Sequence, residues 1–194
     1  MPDRPGRPAG QARRRLLDAA ATRFYADGIA ATGIDTITAA AGVAKMSLYN
    51  NFGSKAELVA AYLAERHAEW LELYERRSAG AKSPRERLLA VFDAYADHAR
   101  MAYTGGFRGC GLLNAAAELP AGSPGRAAVR AHKEEVEAIV DQHLRDLTDP
   151  DTARATAEHL SYLLEGAMSR AGLEGSPDRM SRARGLAEQI VDAL

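Results

Sequence analysis

The sequence predicts an all-α protein: a small N-terminal three-helix unit of helix-turn-helix type, followed by a larger helical body. Three observations carry this. β-branched residues are sparse and never alternate over a useful length, whereas Ala, Leu, Glu and Arg dominate. Apolar residues recur at helical spacing, in Leu16, Leu17, Ala20 and Phe24 and again in Leu58, Tyr62, Leu63 and Trp70. Turn-formers punctuate the chain at Asp27-Gly28, Gly42, Gly53, Ser83-Pro84, Gly105-Gly106, Pro120 to Gly125, Asp149-Pro150 and Gly175-Ser176-Pro177. They leave room for about nine helices, the first three short and closely spaced.

Taken in order, residues 1–10 are rich in Pro, Gly and Arg and are expected to form a disordered basic tail. The first helix carries the Leu16–Phe24 stripe and ends at Gly28. Thr32, followed by Asp35, suits an N-cap with an acidic first turn, opening a helix over about 33–40. Ala41-Gly42-Val43-Ala44 then forms a tight turn into a helix from Lys45 to Phe52. Ser54-Lys55-Ala56-Glu57 is a capping box that starts the fourth helix. Helix, glycine turn, helix is the layout of a helix-turn-helix, and it sets domain boundaries at 11–55 and 56–194.

Charge divides the chain in the same place. Residues through Lys55 carry a net +4 and the remainder −5, giving −1 for all 194 residues. A basic head on an acidic body suits a head that meets a polyanion, although an unevenly charged solvated surface would look the same. A single cysteine, Cys110, allows no intrachain disulfide. No apolar run approaches the roughly 18 residues needed to span a bilayer. The basic N-terminus is followed by no apolar stretch of a secretory signal. These features predict a cytoplasmic protein without membrane partners.

Residues 45–52, KMSLYNNF, hold the most specific chemistry. On a helix, Leu48 and Phe52 fall on one side, where they pack with Ile34, Ile37 and Val43. Lys45, Met46, Ser47, Tyr49 and Asn50 are left toward solvent. Lys suits guanine edges or phosphates, Ser and Asn suit base edges, and Met suits a thymine methyl. The Tyr49 hydroxyl suits a phosphate. By spacing alone, a polar helix facing water remains an equal alternative.

Residues 11–60 resemble the DNA-binding domain of the TetR family of bacterial transcriptional regulators. The resemblance rests on Gly28, Thr32, Ala41-Gly42-Val43, Leu48-Tyr49, Phe52 and Ser54-Lys55, all in register. It departs at Ala44, where the family often has a small hydroxyl residue as helix cap. The resemblance implies Lys45, Met46 and Ser47 at or near base edges, and Tyr49, Asn50 and Asn51 at phosphates or flanking bases. It further implies Lys55 and Thr32 on the DNA backbone, with extra phosphate contacts from Arg13, Arg14 and Arg15. The implied function is a repressor that binds a palindromic double-stranded DNA operator as a homodimer and is released by a small-molecule effector. The same head would also serve an activator.

For the body the resemblance is architectural. It implies a four-helix bundle between subunits, formed by helices over about 150–171 and 178–193. Leu160, Leu163, Leu164 and Ala167 make the expected stripe on one, and Leu186, Ile190, Val191 and Leu194 on the other. Gly166, Ala167, Ala171 and Gly172 would permit close approach, while packing of both stripes within one subunit is the alternative. Cys110, Asn114 and Glu118 recur four apart, so a helix would present them on one face toward a cavity, with His132 as a further ligand contact. In some TetR-like regulators a cysteine here senses electrophiles, which implies a thiol-based sensor as the second reading; plain packing of Cys110 is the third.

Enzymatic chemistry has little support. Histidines 67, 98, 132, 143 and 159 are scattered without metal-ligand spacing. No phosphate loop, nucleophile elbow or HExxH occurs. No catalytic residue, metal or cofactor is therefore expected.

Overall fold

A computed structural model describes residues 9–101 and 103–194. Among these residues there are nine helices and no strand: α1 (Ala9–Asp27), α2 (Ile34–Ala41), α3 (Lys45–Asn51), α4 (Lys55–Ser78), α5 (Pro84–Arg100), α6 (Gly111–Glu118), α7 (Pro124–Leu144), α8 (Pro150–Glu174) and α9 (Asp178–Asp192). The tail expected over 1–10 lies outside the described residues up to position 8, and α1 already begins at Ala9. No helix among the described residues is long and apolar enough to cross a membrane.

Local chemistry explains most helix starts. Ser54 Oγ accepts from the Glu57 N–H at 3.1 Å, and Glu57 returns a bond to the Gly53 N–H at 2.9 Å. This is a capping box whose return bond falls one residue early. Ser83, Ser123 and Asp149 each cap a helix whose next residue is proline, where the missing N–H costs nothing. The pairs expected as stops are thus also starts. The second helix differs from expectation: its N-cap is Gly33, without a side-chain bond. Thr32 is buried and donates its hydroxyl to the Gly28 carbonyl at 2.6 Å, tying off the end of α1 instead.

In the head, α1, α2 and α3 pack around Leu16, Ala20, Phe24, Ile37, Leu48 and Phe52. This core continues without a break through Leu58 and Tyr62 of α4 into the body, so head and body share one apolar interior. α5 is the body's central helix, burying Leu88, Leu89, Val91, Phe92 and Tyr95. α4, α7 and α9 pack closely on α5, α8 joins α7 to α9, and α6 lies against α1, α4 and α7.

α8 and α9 correct part of the expected subunit interface. Leu160 and Leu164 are buried inside the subunit, as are Ala171 and Val191, because this stripe meets α7, α5 and the partner helix of the same chain. Leu163, Ala167 and Ile190 are half-buried, and Leu186 is exposed. Tyr162 and Leu173 are exposed apolar residues that the stripe did not include. Gly172 also has a different role. A Cβ there would meet the Gly109 nitrogen at 2.6 Å, so this glycine lets α8 touch the segment before α6 in its own chain.

Candidate nucleic-acid interface and effector cavity

α3 presents two chemically distinct faces. Leu48 is fully buried and Phe52, its C-cap, nearly so, with Arg13 of α1 stacked 4.8 Å above the Phe52 ring. On the other face Met46 is 67% exposed and Tyr49 43%, so both side chains are available for contact. Lys45 and Asn50 are exposed and Ser47 half-exposed. Gly42 makes the turn possible, with φ +60° and N–H bonds to the Ala39 and Thr38 carbonyls. Ala44 caps α3 with no side-chain bond.

Electrostatics on this face are simple. Lys45 Nζ lies 2.9 Å from Asp35 of α2, which holds the ammonium above its ordinary range, yet both side chains stay largely in solvent. Asn51 is partly withdrawn, since its amide donates to the Ser47 carbonyl at 2.7 Å. Two expected backbone contacts are placed differently. The Thr32 hydroxyl is buried and engaged, and Lys55 Nζ donates to the Ile29 carbonyl at 2.6 Å, linking α4 to the α1–α2 loop. Of the three arginines, Arg14 is tied to Asp18 and Glu65, and Arg15 bonds the Gly42 carbonyl at 3.3 Å.

A cleft of about 720 Å³ opens where head and body meet. Ile29, Val59, Leu63, Leu119 and Pro120 supply apolar walls, with Lys55 on the head side and His67, His132 and Glu135 in the body. Its size and mostly apolar walls suit a small organic ligand. Of the four expected ligand residues only His132 lines it. Asn114 donates to the Arg108 carbonyl at 3.0 Å. Glu118 accepts from the Ile29 and Ala30 N–H groups at 3.1 and 2.7 Å. Cys110 is buried at the N-cap of α6, with Lys133 Nζ 3.7 Å from its sulfur. The 110-114-118 face therefore meets three different partners, α7 at Cys110, the preceding loop at Asn114 and the head at Glu118, rather than one cavity.

His132 stands in the middle of a hydrogen-bonded row. Burial, then the charges of Lys133, His67 and His98, lower its pKa to about 3. One assignment of protons satisfies the whole row: Lys133 donates to the Tyr95 hydroxyl at 3.2 Å, Tyr95 to His132 Nε2 at 3.5 Å, and His132 Nδ1 to His67 Nδ1 at 3.0 Å. His67 Nε2 then faces Glu135 at 3.6 Å. Burial lowers the Lys133 pKa, but Cys110, Tyr95 and Glu165 outweigh it and hold the ammonium above its usual range.

The profile of bacterial regulatory proteins of the tetR family matches residues 16–62, which span α1 to the first turns of α4. Over most of its length, the chain is similar to the crystal structure of a TetR-family transcriptional regulator from Streptomyces coelicolor, with 34% identity, a TM-score of 0.84 and coverage of 94% of each chain. The chain belongs to the TetR family. A second TetR-type regulator, from Streptomyces avermitilis, is 31% identical with a TM-score of 0.72, covering 91% of this chain and 98% of that one. Among curated proteins, the HTH-type transcriptional repressor KstR2 of Mycolicibacterium smegmatis is 38% identical over 94 residues, 48% of this chain and 45% of that protein. The transcriptional activator FasR of the same organism is 38% identical over 91 residues, 46% of this chain and 41% of that protein. The chain thus matches slightly less than half the length of either. TetR-family members are DNA-binding regulators rather than enzymes.

Of this cleft, only His132 is legible in the sequence. Its walls come from the α1–α2 loop, α4, the α6–α7 turn and α7, and no spacing within any one of them announces the others.

Proposed function

We propose that this TetR-family protein is a homodimeric transcriptional repressor that reads a palindromic operator through α3 and is released by a small molecule bound in the cleft. The observation that carries the reading is the division of α3, with Leu48 buried and Met46 and Tyr49 held out beside Lys45. Such a helix enters a major groove with Lys45, Met46, Ser47 and Asn50 toward bases and Tyr49 toward a phosphate. A dimer spaces two such helices about 34 Å apart on one face of DNA. The exposed Tyr162, Leu173 and Leu186 of α8 and α9 supply the apolar surface for pairing.

Release follows from the position of the cleft. α4 contributes Lys55 to the head and His67 to the body, so a ligand against this helix changes its tilt and the spacing of the two α3 helices. The ligand must favour the released state, by about 1–3 kcal/mol for an ordinary allosteric effect. The test is capture of fragmented genomic DNA from the source organism at physiological salt. Recovery of a few palindromic sites, weakened about tenfold or more by Tyr49→Ala, supports the reading. Recovery in proportion to fragment length contradicts it.

A thiol-sensing mechanism is the second reading. Lys133 gives Cys110 the cationic neighbour that a reactive thiolate needs, but the thiol is buried. Cys110→Ser abolishes the response to an electrophile if this reading holds and leaves release by a cleft ligand intact if it does not.

A further inference from the structure

The head is joined to the body by more than the continuous helix α4. The α1–α2 loop exposes two backbone N–H groups in succession, at Ile29 and Ala30, and each takes a different oxygen of the Glu118 carboxylate. Two bonds to one rigid carboxylate fix both the position and the tilt of the loop. Gly28 makes the approach possible in two ways. Its φ of +93° turns the chain, and a Cβ at this position would lie 2.8 Å from Glu118 Oε1. On the other side of the loop, Lys55 donates to the Ile29 carbonyl.

Arg108 completes the clasp. Its guanidinium donates to the Tyr25 carbonyl at 2.8 Å and to that of Ala26, at the negative end of α1. Its backbone N–H donates to the Tyr25 hydroxyl at 2.6 Å, which in turn donates to the Gly109 carbonyl at 3.1 Å. A cation therefore meets the free carbonyls of α1 and an anion meets the free N–H groups that follow. α2 begins at Ile34, four residues after Ala30, so the orientation of α2 and α3 follows that of this loop.

We infer that Glu118 is a positioning residue for DNA reading: it fixes the head on the body and transmits the state of the cleft to the head. The reason is adjacency. Ile29 and Leu119 both line the cleft, and each is, or directly neighbours, a member of the latch. A group that parts Ile29 from Leu119 separates Glu118 from its two N–H partners. The inference rests on the reading that α3 binds DNA.

The test is a double-mutant cycle on the DNA site recovered by the unaltered protein. Glu118→Gln puts an amide NH2 against one of the N–H donors. Ala60→Phe fills the cleft and stands in for an occupant. Each single substitution is expected to weaken operator binding about tenfold, within the usual range of allosteric coupling. The pair is expected to weaken it no further, with the thermal midpoint of Glu118→Gln within a few degrees of the parent. Hydrogen exchange at Ile29 and Ala30 quickens in Glu118→Gln. Parent-like DNA affinity in Glu118→Gln, or effects of the two substitutions that multiply, overturns the latch while leaving the DNA reading intact. An unaltered protein that selects no site overturns the DNA reading, and unchanged exchange at Ile29 and Ala30 overturns the latch in that case as well.

Discussion

Met46 and Tyr49 stand in solvent while Leu48, between them, is fully buried, and under the proposed function this contrast ties DNA reading to the stability of the head. Truncating Leu48 would remove a head-core anchor as well as the support of the reading face; truncating Tyr49 removes only a contact. His132 presents a different single-residue effect. Folding keeps its imidazole neutral down to about pH 3, whereas the unfolded side chain takes up a proton near its ordinary value of 6.5. The stability it contributes is therefore complete above pH 6.5 and is lost progressively as pH falls toward 3. At pH 5 the loss is about 2 kcal/mol by linkage. His98, lowered to about 4 by burial, then Arg66 and Lys133, acts in the same direction. Urea melts at pH 7.5 and pH 5.0 measure the effect, and His132→Gln is expected to reduce the difference by about half; an equal difference in that variant would contradict the account.

Helices were legible where the signal is local and illegible where it is shared between segments. The Ser54 capping box, the uncapped Ala44 and the glycine turn at 42 are decided by a few neighbouring atoms, and the sequence places all three. Thr32 lies one residue before the N-cap, and its buried hydroxyl bonds the Gly28 carbonyl at the end of α1, a partner that the local sequence does not announce. A helix projection points Glu118 toward a ligand because it shows which residues share a face but not what that face meets. It meets a loop 88 residues earlier in the chain. Gly172 shows the same limit: small residues in α8 signal a close approach, and the partner is the Arg108–Gly109 backbone of the same chain. Gly172→Ala is expected to cost about 1–3 kcal/mol by overpacking. Gly166→Ala, which meets nothing within 4 Å, should be neutral or slightly stabilising through helix propensity. Denaturant unfolding of the two variants distinguishes them, and equal costs would contradict the packing described for α8.

For the molecule as a whole, a basic head and an acidic body are built on one apolar core that runs through both. In the proposed mechanism that continuity is what couples a ligand in the cleft to α3, since head and body share one core. The proposed function depends on two copies of α3 held at a fixed distance and on one face of the DNA. The most direct measurement is the affinity for the recovered palindrome compared with the same palindrome carrying an insertion of about five base pairs between its halves, half a helical turn. Paired α3 helices at a fixed spacing predict that the insertion, which carries one half-site to the opposite face, reduces binding to the non-specific level while a single half-site remains equally weak. Unchanged affinity for the inserted site would contradict a rigid dimer that reads DNA through paired α3 helices.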